Sequence, residues 1–511
     1  MLKDVIIGLN VGTLQSEGVA MDTSGQILLE LKSRHNVSRP YPGWAEHDAE
    51  DIWWADAVHL LKKLVAQIKW LNGSIVCVGC SGLYPDVLPV DSSGHPLRPA
   101  ILYGIDSRAS KEIEWMNQVF GTDSFLRISG NVLSSQSVTP KILWLARHEP
   151  HVFRKTYKVL SAPGFLVLKL TGRFSVDHCI ASGTTGVYDS ENMKWDWDLA
   201  EDLEISPDLF PDISWASDVV GFVSKEASEQ TGLPEGTPVV AGTGNTVAQA
   251  LSGGVSDSND LALIYGSTMN LILCSDERIM SDELFLAPYC IPGKYTLVGG
   301  MTSGEIIIKW FCDNFGRIER EVERSCGISA WRLLDLEAEE ISPGSEGLVA
   351  LPYLSGERTP IYDEMATGAM VGLTPRHTRA HVFRAWLEAI GYGVRHNIEA
   401  MGRSGVYPRH VVAMGDGTTS HLWTATVSDI ANIRQEVVGS SCSAAAGAAF
   451  LAGYGAGVLS DIRVLKEKWV SPSRVVTPDP KNCAAYQKYY RIYAGLYNKI
   501  KEEMHSLRCL G

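Results

Sequence analysis

The chain of 511 residues is too long for one hydrophobic core and is expected to form two or more domains. Hydrophobic residues make up 45% and charged residues 20%, the balance of an ordinary globular protein. The net charge of −14 comes without a basic stripe, which argues against nucleic acid as a partner. We find no signal peptide and no run of about 18 apolar residues, so the expected location is the reducing cytoplasm.

The first predicted elements alternate between strands and a helix. Residues 4–9 and 17–21 predict two strands joined by a polar turn, and 26–32 predict a third. Residues 50–71 predict a helix, because apolar residues recur there at helical spacing, and 75–78 predict the next strand. Strands followed by a helix that crosses over to another strand are typical of a mixed α/β sheet.

A second, similar beginning lies near residue 260. Residues 260–265 predict a strand that runs into a glycine turn, 295–299 predict another strand, and 305–315 predict a helix. This weak internal symmetry predicts two related domains, 1–250 and 259–511, joined through the stretch LSGGVSDS.

The last helix and the cysteines predict packing, not ligand binding. Tyrosines recur at helical spacing over 483–504, which is typical of a packing helix. Cys77 and Cys80 form the one C-x-x-C, within an apolar stretch and without a second pair at zinc spacing. They predict a buried strand.

Three glycine turns follow predicted strands: GLNVGT at 8–13, GST at 266–268 and GDGTTS at 415–420. Glycine lets the backbone approach a ligand, and successive N–H groups with Ser/Thr hydroxyls form a cradle for phosphate oxygens. The three turns together predict a nucleotide held in a cleft between the domains. None of them matches the P-loop pattern, which excludes that class of enzyme.

Longer stretches carry a resemblance over nearly the whole chain. The most specific is LPYLSGERTP at 351–360, followed by GAMVGLTPRHTRAHVFRAWLEAIGYGVR at 368–395. RPYPGWAEHDAEDIW, AILYGIDSRA and PKILWLARHEP agree with them. Together they resemble the FGGY carbohydrate kinase family, and most of all its xylulokinase-type branch.

The resemblance implies an α/β chain with two ribonuclease H-like domains, the architecture of actin-like ATPases and sugar kinases, with an interdomain cleft. It implies ATP with Mg²⁺ as cofactor and a small sugar, a pentulose or polyol, as the other ligand. The γ-phosphate would pass to a sugar hydroxyl. No nucleic acid or membrane partner is implied, and a homodimer is compatible with the family.

Two amides stand where the family has acids. At Asn245 such kinases carry the aspartate that accepts the proton of the sugar hydroxyl, and at Asn10 an aspartate that helps to hold Mg²⁺. An amide cannot take that proton, and it offers a neutral oxygen to a cation that prefers charged ones. We therefore expect slow or no turnover with binding retained.

The predicted nucleotide residues lie in the three glycine turns and before the helix at 305–315. They are Gly12, Thr13, Gly266, Ser267, Thr268, Gly304, Gly415, Asp416 and Gly417. Asp416 departs from the family, which usually has glycine there. Its carboxylate either hydrogen-bonds the ribose, which we favour, or repels phosphate.

The sugar pocket differs from the family as well. Xylulokinases carry a Met-His pair where this chain has Tyr84 and Pro85, so D-xylulose is not assured as the substrate. Tyr84, Asp86 and Tyr103 are candidates for contact with another sugar. Asp106 either binds sugar hydroxyls or pairs with Arg108, and it is a conceivable substitute base.

Two other functions remain open. The first is a pseudokinase that senses a sugar or nucleotide, or binds a partner, without catalysis; the paired asparagines favour it. The second is an actin- or chaperone-like ATPase, against which LPYLSGERTP and the second stretch argue. Sugar-dependent consumption of ATP separates these functions from a working sugar kinase.

Overall fold

The computed structural model describes residues 3–439 and 442–510, and the chain forms two compact units. The first unit comprises Met1–Ser256, Cys274–Thr296 and Ser441–Ser471, and the second comprises Asp257–Leu273, Leu297–Ser440 and Pro472–Gly511. Each unit therefore gathers segments that are distant in sequence.

The strands up to residue 244 are β1 Lys3–Val11, β2 Gln15–Asp22, β3 Ile27–Arg34, β4 Glu46–His47, β5 Gly73–Gly82, β6 Leu88–Val90, β7 Ala100–Ile101, β8 Lys158–Leu160, β9 Ser175–Asp177, β10 Tyr188–Asp189, β11 Lys194–Trp195, β12 Asp212–Ser214, β13 Val219–Phe222, β14 Pro238–Val240 and β15 Thr243–Gly244. The later strands are β16 Asp260–Tyr265, β17 Met269–Ser275, β18 Phe285–Pro288, β19 Tyr295–Gly300, β20 Val349–Leu351, β21 Ala369–Val371, β22 His410–Met414, β23 Gln435–Val438 and β24 Pro472–Val476.

The α-helices are α1 Ala55–Trp70, α2 Ser110–Phe120, α3 Thr122–Ser129, α4 Val138–His148, α5 Pro150–Phe153, α6 Ala162–Thr171, α7 His178–Ala181, α8 Asp198–Asp202, α9 Lys225–Thr231, α10 Asn245–Ser252, α11 Glu305–Phe315, α12 Arg317–Cys326, α13 Ala330–Glu339, α14 Arg379–Arg403, α15 His421–Ala431, α16 Ala444–Gly455 and α17 Pro480–Leu510.

The first sheet confirms the strands predicted at the start of the chain. It has seven strands in the order β13-β14-β5-β1-β2-β3, and β15 also pairs with β5. β1 is antiparallel to β2 and parallel to β5, β5 is parallel to β14, and β13 is antiparallel to β14. β1 is buried from Val5 to Leu9, as expected for a strand with neighbours on both sides.

The helix predicted at 50–71 is confirmed, and it begins with a π-helical turn, Ala49–Trp54, that leads into α1. Asp48 caps this start, because its side chain accepts hydrogen bonds from the backbone N–H groups of Glu50 and Asp51. The apolar face of α1 is buried, in agreement with its helical spacing.

The second sheet repeats the pattern of the first. It has seven strands in the order β18-β19-β17-β16-β22-β23-β24. β16 is antiparallel to β17 and parallel to β22, β22 is parallel to β23, and β23 is antiparallel to β24. β16, β22 and β23 thus correspond to β1, β5 and β14, which confirms the internal symmetry.

Helix α16 packs on the first sheet at backbone contact distance. A Cβ atom on Gly8 would lie 1.9 Å from the carbonyl oxygen of Ala445, and one on Gly79 would lie 2.0 Å from another carbonyl oxygen of α16. On the other side of α16, a Cβ atom on Gly447 would lie 1.9 Å from the carbonyl oxygen of Ala248 in α10. Only glycine permits packing this close.

This packing places α16 with the first unit. The helix lies within Ser441–Ser471, which groups with β1 and β5 and not with the segments that flank it in sequence. The contiguous division into 1–250 and 259–511 stays a prediction about the two family domains, and the compact units interleave across it.

The last helix and the C-x-x-C stretch pack as predicted. The helix at 483–504 lies within α17, and its tyrosines enter a hydrophobic cluster: Tyr486, Tyr490, Tyr493 and Tyr497. Cys77 and Cys80 are buried on β5. Across the described residues, every helix is too short or too polar to span a membrane.

We expect Gly8→Ala to destabilise the first unit, because β1 and α16 leave no space for a methyl group. Overpacking of this kind costs about 1–3 kcal/mol. Gly495→Ala on α17 is the control, since nothing lies within 4 Å of the added Cβ atom. Calorimetry should show a lower unfolding temperature for Gly8→Ala alone; equal temperatures for this variant and the parent protein would contradict the close packing.

Candidate functional site

The predicted residues of the first unit gather where β1, β5 and β15 end. Asn10 on β1 and Thr243 on β15 both pair with Ser81 on β5, in parallel register. β15 ends at Gly244, and Asn245 begins α10. Because the carboxyl ends of parallel strands lie at one edge of a sheet, Asn10 and Asn245 are brought to the same edge.

Asn10 is half-buried beside a fully buried serine. Its Oδ1 atom lies 3.2 Å from the Oγ atom of Ser81. The same hydroxyl is 3.1 Å from the carbonyl oxygen of Leu9 and 3.1 Å from that of Ala444 at the start of α16. Ser81 therefore ties β1, β5 and α16 together next to the predicted Mg²⁺ partner.

The glycine turn predicted at 8–13 is contacted by a histidine that the sequence did not single out. The N–H of Gly12 donates to the carbonyl oxygen of Gln15 at 2.9 Å. His35 Nε2 lies 3.0 Å from the carbonyl oxygen of Gly12, and His35 Nδ1 lies 2.8 Å from Asp56 Oδ2. His35 therefore links the turn before Thr13 to Asp56 on α1.

Tyr84, from the predicted sugar loop, packs on the turn that carries Asn245. A Cβ atom on Gly244 would lie 2.1 Å from the ring of Tyr84. The Tyr84 hydroxyl is 3.0 Å from Thr246 Oγ1, and the N–H of Thr246 donates to Asn245 Oδ1 at 2.8 Å. Tyr84 and Asn245 are half-buried and adjacent, whereas Pro85 is buried.

A buried carboxyl group lies behind this turn, and the sequence analysis missed it. Thr243 Oγ1 donates to Asp177 Oδ2 at 2.7 Å. Asp177 is fully buried, and burial raises its pKa to about 7. Nothing local in the sequence marks Asp177, because only folding brings β9 next to β15.

Of the other predicted sugar residues, Tyr103 is half-buried, and Asp86 and Asp106 are buried. Tyr103 is half-buried, and its hydroxyl lies 2.8 Å from Thr13 Oγ1. Asp86 is buried and accepts a hydrogen bond from the N–H of Tyr103 at 3.0 Å. Asp106 has no exposed surface and forms an ion pair of 2.7 Å with Arg108. Of the two roles expected for Asp106, the structure contains the pairing with Arg108.

In the second unit the predicted nucleotide residues come from three backbone segments in contact. Residues 266–268 follow β16, and Gly415 follows its parallel neighbour β22. The N–H of Glu305 donates to the carbonyl oxygen of Gly266 at 2.9 Å, and a Cβ atom on Gly304 would lie 2.5 Å from that oxygen. A Cβ atom on Gly415 would lie 2.3 Å from a carbonyl oxygen of β16. Glycine is thus required for this cradle.

Charged side chains surround the cradle. Burial, and then the charge of Asp416, raises the pKa of Glu305 to about 7. Arg474 donates from its guanidinium to the carbonyl oxygen of Thr418. Asp416 and Gly417 belong to a glycine turn and were predicted from the sequence, whereas Glu305 and Arg474 belong to no such turn and were not.

The stretch LPYLSGERTP supports the segment that leads to Gly304. Glu357 Oε1 accepts hydrogen bonds from the N–H groups of Thr302 at 2.6 Å and Arg358 at 2.9 Å. The Arg358 guanidinium donates to the carbonyl oxygen of Met301 at 2.9 Å. Burial raises the pKa of Glu357 to about 7. The most specific stretch of the sequence therefore holds the backbone before Gly304 in place by hydrogen bonds.

Profiles of the FGGY family of carbohydrate kinases match both parts of the chain. The N-terminal-domain profile matches residues 5–252, and the C-terminal-domain profile matches residues 261–456. The chain belongs to the FGGY family of carbohydrate kinases. Its fold is the two-domain, actin-like and ribonuclease H-like fold of these kinases, as the resemblance implied.

The similarity to individual kinases extends over whole chains. Xylulose kinase of Escherichia coli strain K12 is 28% identical over 498 residues, which are 97% of this chain and 99% of that protein. Autoinducer-2 kinase of Enterobacter sp. strain 638 is 27% identical over 504 residues, 96% and 94% of the two chains. The crystal structure of xylulose kinase from Rhodospirillum rubrum matches with a TM-score of 0.88 and 29% identity, covering 98% and 100%.

The donor groups of this FGGY-family chain fit phosphate better than Mg²⁺. Within residues 3–439 and 442–510, no three His, Cys, Asp or Glu side chains are grouped to hold a metal ion. Asn10 supplies one neutral oxygen, whereas Mg²⁺ prefers carboxylates. The cradle at 266–268, Gly304 and Gly415 combines glycines with the hydroxyl-bearing Ser267 and Thr268, the composition of a phosphate-binding turn.

The buried Asp177 should make stability depend on pH. Its folded-state pKa of about 7 exceeds the ordinary value of 3.8. The contribution of the protonated carboxyl group to stability is therefore complete below pH 3.8 and is lost as the pH rises to about 7. Asp177→Asn carries no charge at any pH. The unfolding temperature of the variant, relative to the parent protein, should therefore rise between about pH 4 and pH 7.

The control is Asp202→Asn, at an exposed position of the same unit, and it should show no such trend. A difference between Asp177→Asn and the parent protein that stays constant over this pH range would show that burial does not shift this carboxyl group.

Proposed function

We propose that the chain is an ATP-dependent carbohydrate kinase, xylulokinase-like, whose transfer of the γ-phosphate to a sugar hydroxyl is impaired. The observation that carries this proposal is that Asn10 and Thr243 both pair with Ser81. This pairing brings Asn10 and the turn of Asn245 to one sheet edge. The two positions at which the resemblance expects acids thus lie at one sheet edge, and both carry amides.

The residues that remain are sufficient for binding. The hydroxyls of Thr13, Ser267 and Thr268 stand beside glycines that let a ligand approach the backbone, and we expect them to contact phosphate oxygens. Bound Mg–ATP would supply the phosphoryl group and neutralise its developing charge. Phosphoryl transfer depends mostly on positioning and electrostatics, which this chain retains in part.

The missing function is proton acceptance. Asn245 Oδ1 lies within reach of the Thr246 N–H, and an amide oxygen does not take up the proton of a sugar hydroxyl. General-base catalysis contributes about 10²–10⁴-fold to a rate. We therefore assign a slow kinase, with sugar and nucleotide binding largely intact.

The sugar is a pentulose or polyol whose identity is set by the loop at 83–86. Tyr84 occupies a position where, by the resemblance, xylulokinases carry a Met-His pair, and its half-buried ring lies against Gly244, next to Asn245. The two xylulose kinases are 28% and 29% identical to this chain, and the autoinducer-2 kinase is 27% identical. Overall similarity therefore does not select D-xylulose.

The second candidate function is that of a pseudokinase, a sugar or nucleotide sensor or a partner-binding protein. The observation that favours it is that both mechanistic acids are replaced together, in a scaffold whose turns are otherwise built for binding. Such a protein binds its ligands and consumes no ATP.

A coupled ADP-release assay over pentuloses, hexuloses and polyols separates the two functions. We expect the parent protein to be slow, and Asn10→Asp/Asn245→Asp to raise kcat on one sugar by about 10²-fold or more, since a base is restored. Asn245→Asp alone should give most of that gain.

A kcat of about 1–100 s⁻¹ for the parent protein would contradict the assignment of Asn245, because that is the ordinary range of kinases. Silence of the parent protein and of both revertants on every sugar, together with ATP binding, would favour the pseudokinase.

We propose that the Asp416 carboxylate hydrogen-bonds the ribose. Asp416→Asn should then weaken ATP binding about threefold to tenfold, the effect of one hydrogen bond. Binding of inorganic tripolyphosphate, which has no ribose, should stay the same or tighten. Calorimetric titration measures both, and Glu503→Gln at an exposed position of α17 is the control. Tighter ATP binding by Asp416→Asn would show that Asp416 repels phosphate.

A further inference from the structure

A fully buried lysine lies behind the sugar loop, and no catalytic role uses it. Lys141 lies on α4, and its side chain is 1% exposed. Its Nζ atom donates to the carbonyl oxygen of Leu102 at 2.7 Å. Burying an ammonium group is costly unless it is paired, so its partners indicate what it holds in place.

Those partners are two buried carboxylates, Asp106 and Asp86, which lie close enough to act electrostatically on the Lys141 ammonium. Burial lowers the pKa of Lys141, and the two negative charges oppose this shift. Burial raises the pKa of Asp86, and the charge of Lys141 opposes that shift in turn. Lys141 and Asp86 therefore each favour the charged form of the other, against the effect of burial.

Lys141 and Asp86 hold opposite ends of a single peptide group. That group joins Leu102 to Tyr103: its carbonyl oxygen accepts from Lys141 Nζ at 2.7 Å, and its N–H donates to Asp86 Oδ1 at 3.0 Å. Because a trans peptide is planar, fixing both ends fixes its plane. The direction in which the Tyr103 side chain leaves the backbone is thereby restricted.

Tyr103 carries this restraint to the phosphate turn. Its hydroxyl lies 2.8 Å from Thr13 Oγ1, directly after Gly12. Tyr103 and Thr13 are half-buried and available to ligands, whereas Lys141 and Asp86 are 1% and 3% exposed. The buried pair therefore has no surface for a sugar and acts only through the residues in front of it.

We propose that Lys141 and Asp86 are positioning residues for phosphoryl transfer, acting through Tyr103 on Thr13 of the phosphate turn. The proposal rests on the proposed kinase function. It replaces the expected contact of Asp86 with the sugar by a supporting role. The loop that places Tyr84 beside Asn245 is thus also coupled, through Asp86 and Tyr103, to the phosphate turn.

Tyr103→Phe tests the last contact, because it removes the hydroxyl and keeps the ring. Hydrogen–deuterium exchange on the free protein needs no ligand. We expect the amides of residues 11–16 to exchange about threefold to tenfold faster, the effect of one lost hydrogen bond, with the second unit unchanged. Tyr157→Phe, at an exposed tyrosine of the same unit, is the matched control and should change nothing.

A double-mutant cycle with Thr13→Val separates positioning from general loosening. The Thr13→Val background removes the contact of the Tyr103 hydroxyl with Thr13, so Tyr103→Phe should there have a smaller effect than in the parent protein on exchange of residues 11–16 and on the dissociation constant for Mg–ATP. Full additivity of the two substitutions overturns the proposal.

The buried pair is tested by Lys141→Met/Asp86→Leu. Lys141→Met alone leaves the buried Asp86 without the opposing charge of Lys141 and can fail to fold, whereas apolar replacement of two opposite buried charges together is often tolerated. The folded double variant should show the same faster exchange of residues 11–16 as Tyr103→Phe. Unchanged exchange in that variant overturns the role of the pair.

The kinetic test uses the Asn10→Asp/Asn245→Asp background. There, Tyr103→Phe should lower kcat about threefold to tenfold even at saturating sugar, which a defect confined to sugar binding would not do. An unchanged kcat overturns the proposal. Absence of all sugar-dependent activity in that background refutes the proposed function instead, and the exchange experiments still decide whether the contacts position the turn.

Discussion

The backbone contact between α16 and the first sheet is the constraint on which the site of the first unit depends. Gly8 and Gly79 let the helix approach β1 and β5 until only backbone separates them, and Gly447 lets it approach α10 in the same way. The Ser81 hydroxyl lies within hydrogen-bond distance of both the β1 end and the first residue of α16. A shift of this helix would therefore move the ends of the strands that carry Asn10 and precede Asn245.

The polar groups of this unit form a half-buried layer with a buried layer behind it. Thr13, Tyr84 and Tyr103 are available to ligands, whereas Lys141 and Asp177 are buried and reach the site only through other residues. A buried charge is tolerated when it is paired or hydrogen-bonded, and it then restricts the groups that it contacts. Phosphoryl transfer depends on such support, because its rate is set mostly by how well the reacting groups are positioned.

The proposed activity follows from this separation of binding from proton transfer. An amide differs little in shape from a carboxylate, so the strand ends and turns can keep their contacts, but an amide at the proposed base position accepts no proton and one at the proposed metal position carries no charge. The second unit keeps a glycine cradle and adds the carboxylates of Asp416 and Glu305. A slow kinase and a ligand-binding pseudokinase are thus two outcomes of the same scaffold, and they differ in turnover, not in fold.

The sequence by itself determined the strand and helix pattern, the internal symmetry, the glycine turns and the family, because periodicity, turn chemistry and motifs are local properties of the chain. It also identified the amides at Asn10 and Asn245. Only the tertiary structure decided that α16 joins the first unit and that Asp86 supports Tyr103, and only it revealed Lys141. These facts depend on contacts between segments far apart in sequence, and no local pattern encodes which buried side chain will face which peptide group.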